Sequence, residues 1–325
     1  VGLQIARTAA RIAIAACVMT LVIETGACGL GRAPRPAPID PGDVVADHGP
    51  PAGIDVVWIG HATALIRIED RWFLTDPNFS DRVGLVYERY VEPGMQPDEL
   101  PPLDAVLVSH AHMDHLDPPS LRRVRAPLVV APPDALRYVP DDAGFADRQP
   151  LDRWQSVARD GVTITAVPAS HGAGRYYIDA AWAPNSYAGF VIEYRSHTVY
   201  FAGDTGYRPE LFAEIGRRFD IDVALLPVGP ADRPGWVHAL REEVHAGPND
   251  ALRIFDEVGA DWMVPIHFGT FFKRTAGERA AIAGAIHDHP RGDHVALLRI
   301  GGVARFPART ALTRATPRRP ARRSR

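Results

Sequence analysis

Short apolar runs separated by polar turns dominate the first half of the chain, and amphipathic segments join them later. Residues 55–59, 64–68 and 72–75, the last following a Glu-Asp-Arg turn, predict consecutive strands. Further strands are predicted over 105–108, 128–130, 162–167, 190–194, 198–202 and 223–227, with Arg195-Ser196-His197 as a hairpin turn between two of them. Helices are predicted over 118–124, 209–218, 248–258 and 276–287. Three of these open with Pro, which suits a first turn where the missing N–H is not needed. Strands followed by alternating strands and helices imply two sheets covered by helices on their outer faces.

The ends read differently. Arg7 and Arg11 precede an apolar run over 12–23 and the small-residue stretch Thr25-Gly26-Ala27-Cys28, so residues 1–28 read as an export signal. The run is too short to span a bilayer comfortably. Cys28 after Gly-Ala resembles a bacterial lipoprotein cleavage site, which places the chain in a bacterial cell envelope with lipid-anchored or peripheral membrane association. The alternative is a cytoplasmic protein whose start lies downstream of Val1. Residues 29–51 are Pro-, Gly- and Asp-rich and read as a linker. Residues 52–306 form the folded unit, and 307–325 form a basic tail without apolar periodicity.

Composition narrows the chemistry. With 46% hydrophobic and 23% charged residues the chain has material for one large core. The 36 basic and 39 acidic residues are unevenly spread: residues 40–304 hold 24 basic against 38 acidic, a net of −14. Such an acidic body argues against nucleic acid as a partner, because phosphate binding needs a basic face. Both cysteines, Cys17 and Cys28, lie in the first 28 residues, so metal chemistry in the body must use His and carboxylate.

The stretch His110-Ala111-His112-Met113-Asp114-His115 offers that chemistry. It follows the apolar run 105–108 and precedes Leu116-Asp117-Pro118, where a strand ends and a helix begins. Imidazole suits zinc and other borderline divalent metals, and carboxylate compensates charge. Six residues cannot easily wrap one ion with all four groups, so two adjacent ions are the simpler geometry. Two such ions need about six or seven protein groups. His171 after 162–167, Asp204 after 198–202, and His267 after 262–266 are further donors at strand ends.

These residues resemble the signature of the metallo-β-lactamase fold hydrolases, His-x-His-x-Asp-His followed by His, Asp and His. The resemblance covers about residues 55–300. It implies an α+β fold, a four-layer αββα sandwich of two mixed sheets flanked by helices. It also implies two divalent ions, usually zinc: one held by His110, His112 and His171, a second by Asp114, His115 and His267, with Asp204 bridging both. The segments Trp58-Ile59-Gly60-His61-Ala62-Thr63, Leu74-Thr75-Asp76-Pro77, Gly203-Asp204-Thr205-Gly206-Tyr207 and 265–271 resemble the branch containing N-acylphosphatidylethanolamine-hydrolysing phospholipase D and its bacterial relatives. His245, three residues before Pro248, also matches that branch, where the corresponding His lies beside the metals. Gly247 and Asn249-Asp250 depart from its acidic run, and Ser186-Tyr187-Ala188-Gly189 stands where a Trp-Gly-Gly type segment is common.

The expected function is a two-metal phosphodiesterase of phospholipase D type, acting on an N-acylated phospholipid or related diester. Two ions about 3.5 to 4 Å apart can share a water and lower its pKa, so no Ser or Cys nucleophile is needed. Asp114 is the candidate for orienting that nucleophile, and His245 for outer hydrogen bonding or proton donation to the leaving oxygen. His61 reads as a buried supporting group rather than a ligand, and Asp76 as a group that could orient a ligand His or form the turn before Pro77. His287, His289 and His294 read as a surface cluster. A lipid substrate predicts an apolar groove, for which Tyr176, Tyr177, Trp182, Tyr187, Trp236 and Phe271 are candidates. The competing readings are a lactonase acting on a sugar-phosphate or other lactone and a noncatalytic metal-binding envelope protein.

Overall fold

The computed structural model describes residues 53–84, 87–172, 174–175, 186–229, 244–271 and 276–306. The expectations for 1–28, 29–51 and 307–325 lie outside the described residues, as do Tyr176, Tyr177, Trp182 and Trp236. No described helix is long and apolar enough to cross a membrane.

The opening runs form β1 (Ile54–Gly60), β2 (Thr63–Ile68) and β3 (Arg71–Thr75), followed by a small β4 (Arg82–Val83) and β5 (Tyr87–Glu88) ribbon. Next come β6 (Ala105–Leu107), β7 (Leu128–Ala131) and β8 (Asp147–Pro150). The second half supplies β9 (Ser156–Arg159), β10 (Val162–Val167), β11 (Gly189–Tyr194), β12 (His197–Phe201), β13 (Val223–Pro227), β14 (Trp262–Ile266) and β15 (Val303–Phe306). The helices are α1 (Pro118–Arg123), α2 (Pro133–Leu136), α3 (Pro209–Arg218), α4 (Pro248–Val258) and α5 (Ala276–Asp288). Pro stands in the first turn of α1 to α4, and the Asp117 carboxylate accepts from the Ser120 N–H to cap α1.

Two mixed sheets result, as expected. One has the order β15-β1-β2-β3-β6-β7-β8 and the other β14-β13-β12-β11-β10-β9. The inner strands are buried on both faces, which is why β1, β2 and β6 read as nearly continuous apolar runs. Alternation then sorts the side chains: Val56, Trp58, Ala64, Ile66 and Leu107 join the core that also holds Ile164, Phe190, Ile192 and Val199 of the second sheet. Val57, Ile59, Leu65, Val106 and Val129 face the other way, against Leu121 and Val124 of α1 and its end and Ala135 of α2. Phe212 and Ile215 of α3 and Leu252, Phe255 and Val258 of α4 pack with the second sheet.

Three strands of the two sheets, β8, β9 and β15, escaped sequence reading for a common reason. They and β14 are the outermost strands of their sheets. β8 and β9 carry Asp-Arg-Gln-Pro and Ser-Val-Ala-Arg, with no apolar alternation. An edge strand needs only one partner, and its polar residues discourage further pairing. Pro265 within β14 is tolerated for the same reason.

Pairing sets the functional rim. β1 and β3 are each antiparallel to β2, and β6 is parallel to β3, so β1, β3 and β6 end on one side. β10 and β12 are each antiparallel to β11, and β13 and β14 run parallel to β12, so β10, β12 and β14 also end together. Phe190, fully buried between the sheets, tests this core: Phe190→Ala should lower the unfolding free energy by about 3–5 kcal/mol in a denaturant titration. A loss under about 1 kcal/mol would show that the inter-sheet layer contributes little there.

Candidate metal centre

Each proposed donor stands just past one of these strand ends: His110, His112, Asp114 and His115 after β6, His171 after β10, Asp204 after β12 and His267 after β14. The structure brings all seven together. His112 Nδ1 lies 2.9 Å from His110 Nε2 and 3.3 Å from His171 Nε2, making one three-imidazole group. Beside it, Asp204 Oδ2 lies 3.4 Å from His115 Nε2, and Asp204 Oδ1 lies 3.1 Å from His267 Nε2. Asp114 Oδ2 is 3.7 Å from His115 Nε2 and 3.9 Å from His267 Nε2. His245 enters from the segment before α4, with Nδ1 3.4 Å from Asp204 Oδ2 and its ring centre 5.1 Å from that of His171.

Surrounding groups determine which ring nitrogens face inward. Ser109 Oγ donates to Asp76 Oδ2 at 2.6 Å and therefore accepts from His110 Nδ1 at 2.9 Å. The Asp76 carboxylate also accepts from the Ser109 N–H at 2.6 Å and from His115 Nδ1 at 2.7 Å. His171 Nδ1 donates to the Val244 carbonyl at 2.8 Å. With these Nδ1 atoms committed as donors, the Nε2 atoms of His110 and His171 point at the centre with lone pairs to give, as does that of His115 once it has shed its proton. Asp76 thus takes the orienting role that its sequence context left open, from a backbone held at φ +35°.

Burial makes the cluster electrostatically costly. It holds the His110, His112 and His171 imidazoles below the usual histidine range, reinforced by neighbouring imidazoles. It also pushes His61 down to about 3, with His267 adding to the effect. Burial opposes charge on Asp204 and Asp114, but the facing imidazoles win and hold both carboxylates well below their usual range. Burial likewise disfavours protonation of His115, but Asp204, Asp114 and Asp76 raise it well above normal.

His115 Nε2, His267 Nε2 and Asp204 Oδ1 are buried and make no hydrogen bond. Buried polar atoms left this way are costly unless something binds them. Imidazole nitrogens and carboxylate oxygens aimed at common points within a few ångströms fit divalent cations, zinc among them.

The sequence signal missed three supporting residues. Ser109 precedes the motif and couples Asp76 to His110. Asn78 donates through Nδ2 to the carbonyl oxygens of Asp114 at 3.1 Å and Met113 at 3.4 Å. Arg89, buried and lowered by burial to about 10, donates to the carbonyls of Asn78 and Ser80. Only Ser109 and Asn78 had a local clue, their closeness in sequence to His110 and Asp76. Of the aromatic candidates, Tyr187 lies beside the site, 6.0 Å from the His171 ring. Phe271 is 4% exposed and packs between His61 and the Arg89 guanidinium, so it does not line a groove.

Residues 71–268 match the family profile of the beta-lactamase superfamily domain. The chain is 29% identical over 241 residues to an N-acyl-phosphatidylethanolamine-hydrolyzing phospholipase D of Caenorhabditis elegans, covering 68% of this chain and 65% of that one. It is 30% identical to a metal-dependent hydrolase of Salinibacter ruber, covering 67% and 86% respectively. The crystal structure of an isothiocyanate hydrolase from Delia radicum gut bacteria shares the fold, with a TM-score of 0.62 and 22% identity over 78% of this chain and 100% of that one. The chain belongs to the β-lactamase superfamily. It spans 61% of the length of several curated relatives that it matches at 35% identity.

Asp76→Asn tests the orienting network. Removing one acceptor oxygen from beneath Ser109 and His115 should weaken zinc binding about 10- to 100-fold in chelator competition, while far-UV circular dichroism stays unchanged. Unaltered affinity would remove Asp76 from that role.

Proposed function

We propose that this chain is a two-metal phosphodiesterase of phospholipase D type, acting on an N-acylated phospholipid or a related diester. The observation that carries the reading is the division of seven buried and half-buried donors into two adjoining groups, with Asp204 against His115 and His267 of one and within reach of His171 of the other. His110, His112 and His171 would hold one divalent cation and Asp114, His115 and His267 the other, with Asp204 shared. Zinc suits this donor set. When bound, such a pair supplies Lewis acidity and a water acidified towards neutral pH.

The chain's own groups do the rest. Asp114, with its side chain 24% exposed, is the more open of the two carboxylates and can accept a hydrogen bond from an attacking water and orient it. His245, its side chain 18% exposed at the edge of the cluster, can hold a proton for the leaving oxygen. The Asp204 contact keeps that ring directed at the centre. The acidic body offers no general attraction for a phosphodiester, so recognition of the anion falls to the centre itself. The diester is favoured over a lactone by the likeness to the nematode phospholipase D.

The test is a hydrolysis screen of zinc-loaded protein against N-acylated phospholipids, simple diesters, lactones and β-lactams, repeated with Asp204→Ala. Two zinc ions per chain and diester cleavage are expected of the unmodified protein. Asp204→Ala should lose at least about 100-fold in rate, the scale on which removal of a group stabilising the transition state is felt. Equal turnover by both proteins would overturn the shared role of Asp204. Cleavage confined to lactones would move the assignment to that class, and fewer than two ions with no hydrolysis would favour a binding protein.

A further inference from the structure

His61 is outside the seven proposed ligands, yet it stands within 4.8 Å of the donor atoms of Asp114, His115 and His267 and is anchored from both sides of the centre. It follows β1 with φ +53°, a left-handed conformation that residues with a Cβ rarely adopt. Strain of this kind persists where surrounding contacts over-determine it, and these do. The His61 N–H donates to Thr270 Oγ1 at 2.7 Å. Its carbonyl accepts from Trp58 Nε1 at 2.8 Å and from the His267 N–H at 2.9 Å. The ring lies 4.0 Å from that of His267, with Phe271 edge-on at 5.0 Å, and Nε2 stands 3.0 Å from Asp114 Oδ2.

The main chain of His61 therefore grips the segment carrying His267, and its side chain grips Asp114. Those two residues arrive from different sheets, after β14 and β6. The Asp114 side chain is also 24% exposed, so a partner is needed to keep it from turning outward. Resting on the two-cation reading, we infer that His61 is a positioning residue for the second cation, fixing the Asp114 carboxylate and the His267 backbone at the spacing this cation requires. An ionised carboxylate only accepts, so the 3.0 Å contact puts the proton on His61 Nε2 and leaves that nitrogen no lone pair for a metal. That commits the His61 Nε2 to Asp114.

The experiment compares the full chain with His61→Ala and His61→Gln. Both variants carry a Cβ into the left-handed region, so their backbone cost is shared, but only Gln returns an N–H donor towards Asp114. Zinc affinities are measured by chelator competition, with cobalt(II) absorption as the spectroscopic readout and thermal unfolding of the metal-free forms as the check on folding. His61→Ala should keep the first ion, weaken the second about 10- to 100-fold and alter the cobalt spectrum of that ion alone, with His61→Gln recovering most of the loss. Undiminished affinity for the second ion in His61→Ala overturns the inference, as does a loss in His61→Gln equal to that in Ala, the result for a direct ligand. Uptake of a single ion by the unmodified chain overturns the two-cation reading and this inference with it, and is recognisable because it appears before any substitution is made.

Discussion

Asp204 stands between His115, which follows a strand of one sheet, and His267, which follows a strand of the other. All three are buried, and a carboxylate so placed is sustained only by the imidazoles that face it. The contact therefore demands that both sheets end at the same height and that each strand be in register to within a residue. A slip of one position would turn a donor from the centre to the opposite face. The two continuous apolar layers enforce that register, and the polar centre depends on them.

The approach of the two sheets at this rim is equally tight in the backbone. Gly203, just before Asp204, has φ +61°, and a Cβ there would sit 2.6 Å from the Ser109 Cβ. No larger residue fits without displacing Ser109, and Ser109 holds Asp76 and His110. His61, Asp76 and His267 are themselves non-glycine residues with positive φ. Strain thus collects around the donors, where hydrogen bonds from both sheets hold it in place. The chain gives up local backbone comfort in return for fixed donor directions.

An acidic body around a cation-fitting centre has a functional consequence. Residues 40–304 carry a net charge of −14, so an anionic substrate meets repulsion over much of the surface. Attraction is then concentrated where the donors converge. This arrangement agrees with a diesterase whose anion recognition is local.

Much of the architecture was legible beforehand because it rests on local pattern. The strands 162–167 and 223–227 and the helices 209–218 and 248–258 coincide with the apolar runs and Pro starts that predicted them. The seven residues that the structure brings together were also readable as candidates, since His and Asp at strand ends form a distinctive chemical signature. The edge strands β8, β9 and β15 were not, because pairing on one side alone imposes little pattern on their side chains. Nor could the chain by itself show that His61 reaches Asp114, 53 residues on, or that its N–H meets Thr270, 209 residues on. The burial of Phe271 beneath His61 was hidden in the same way. Those contacts are settled by which strands pair and in what register, a property of the folded sheets that no local segment contains.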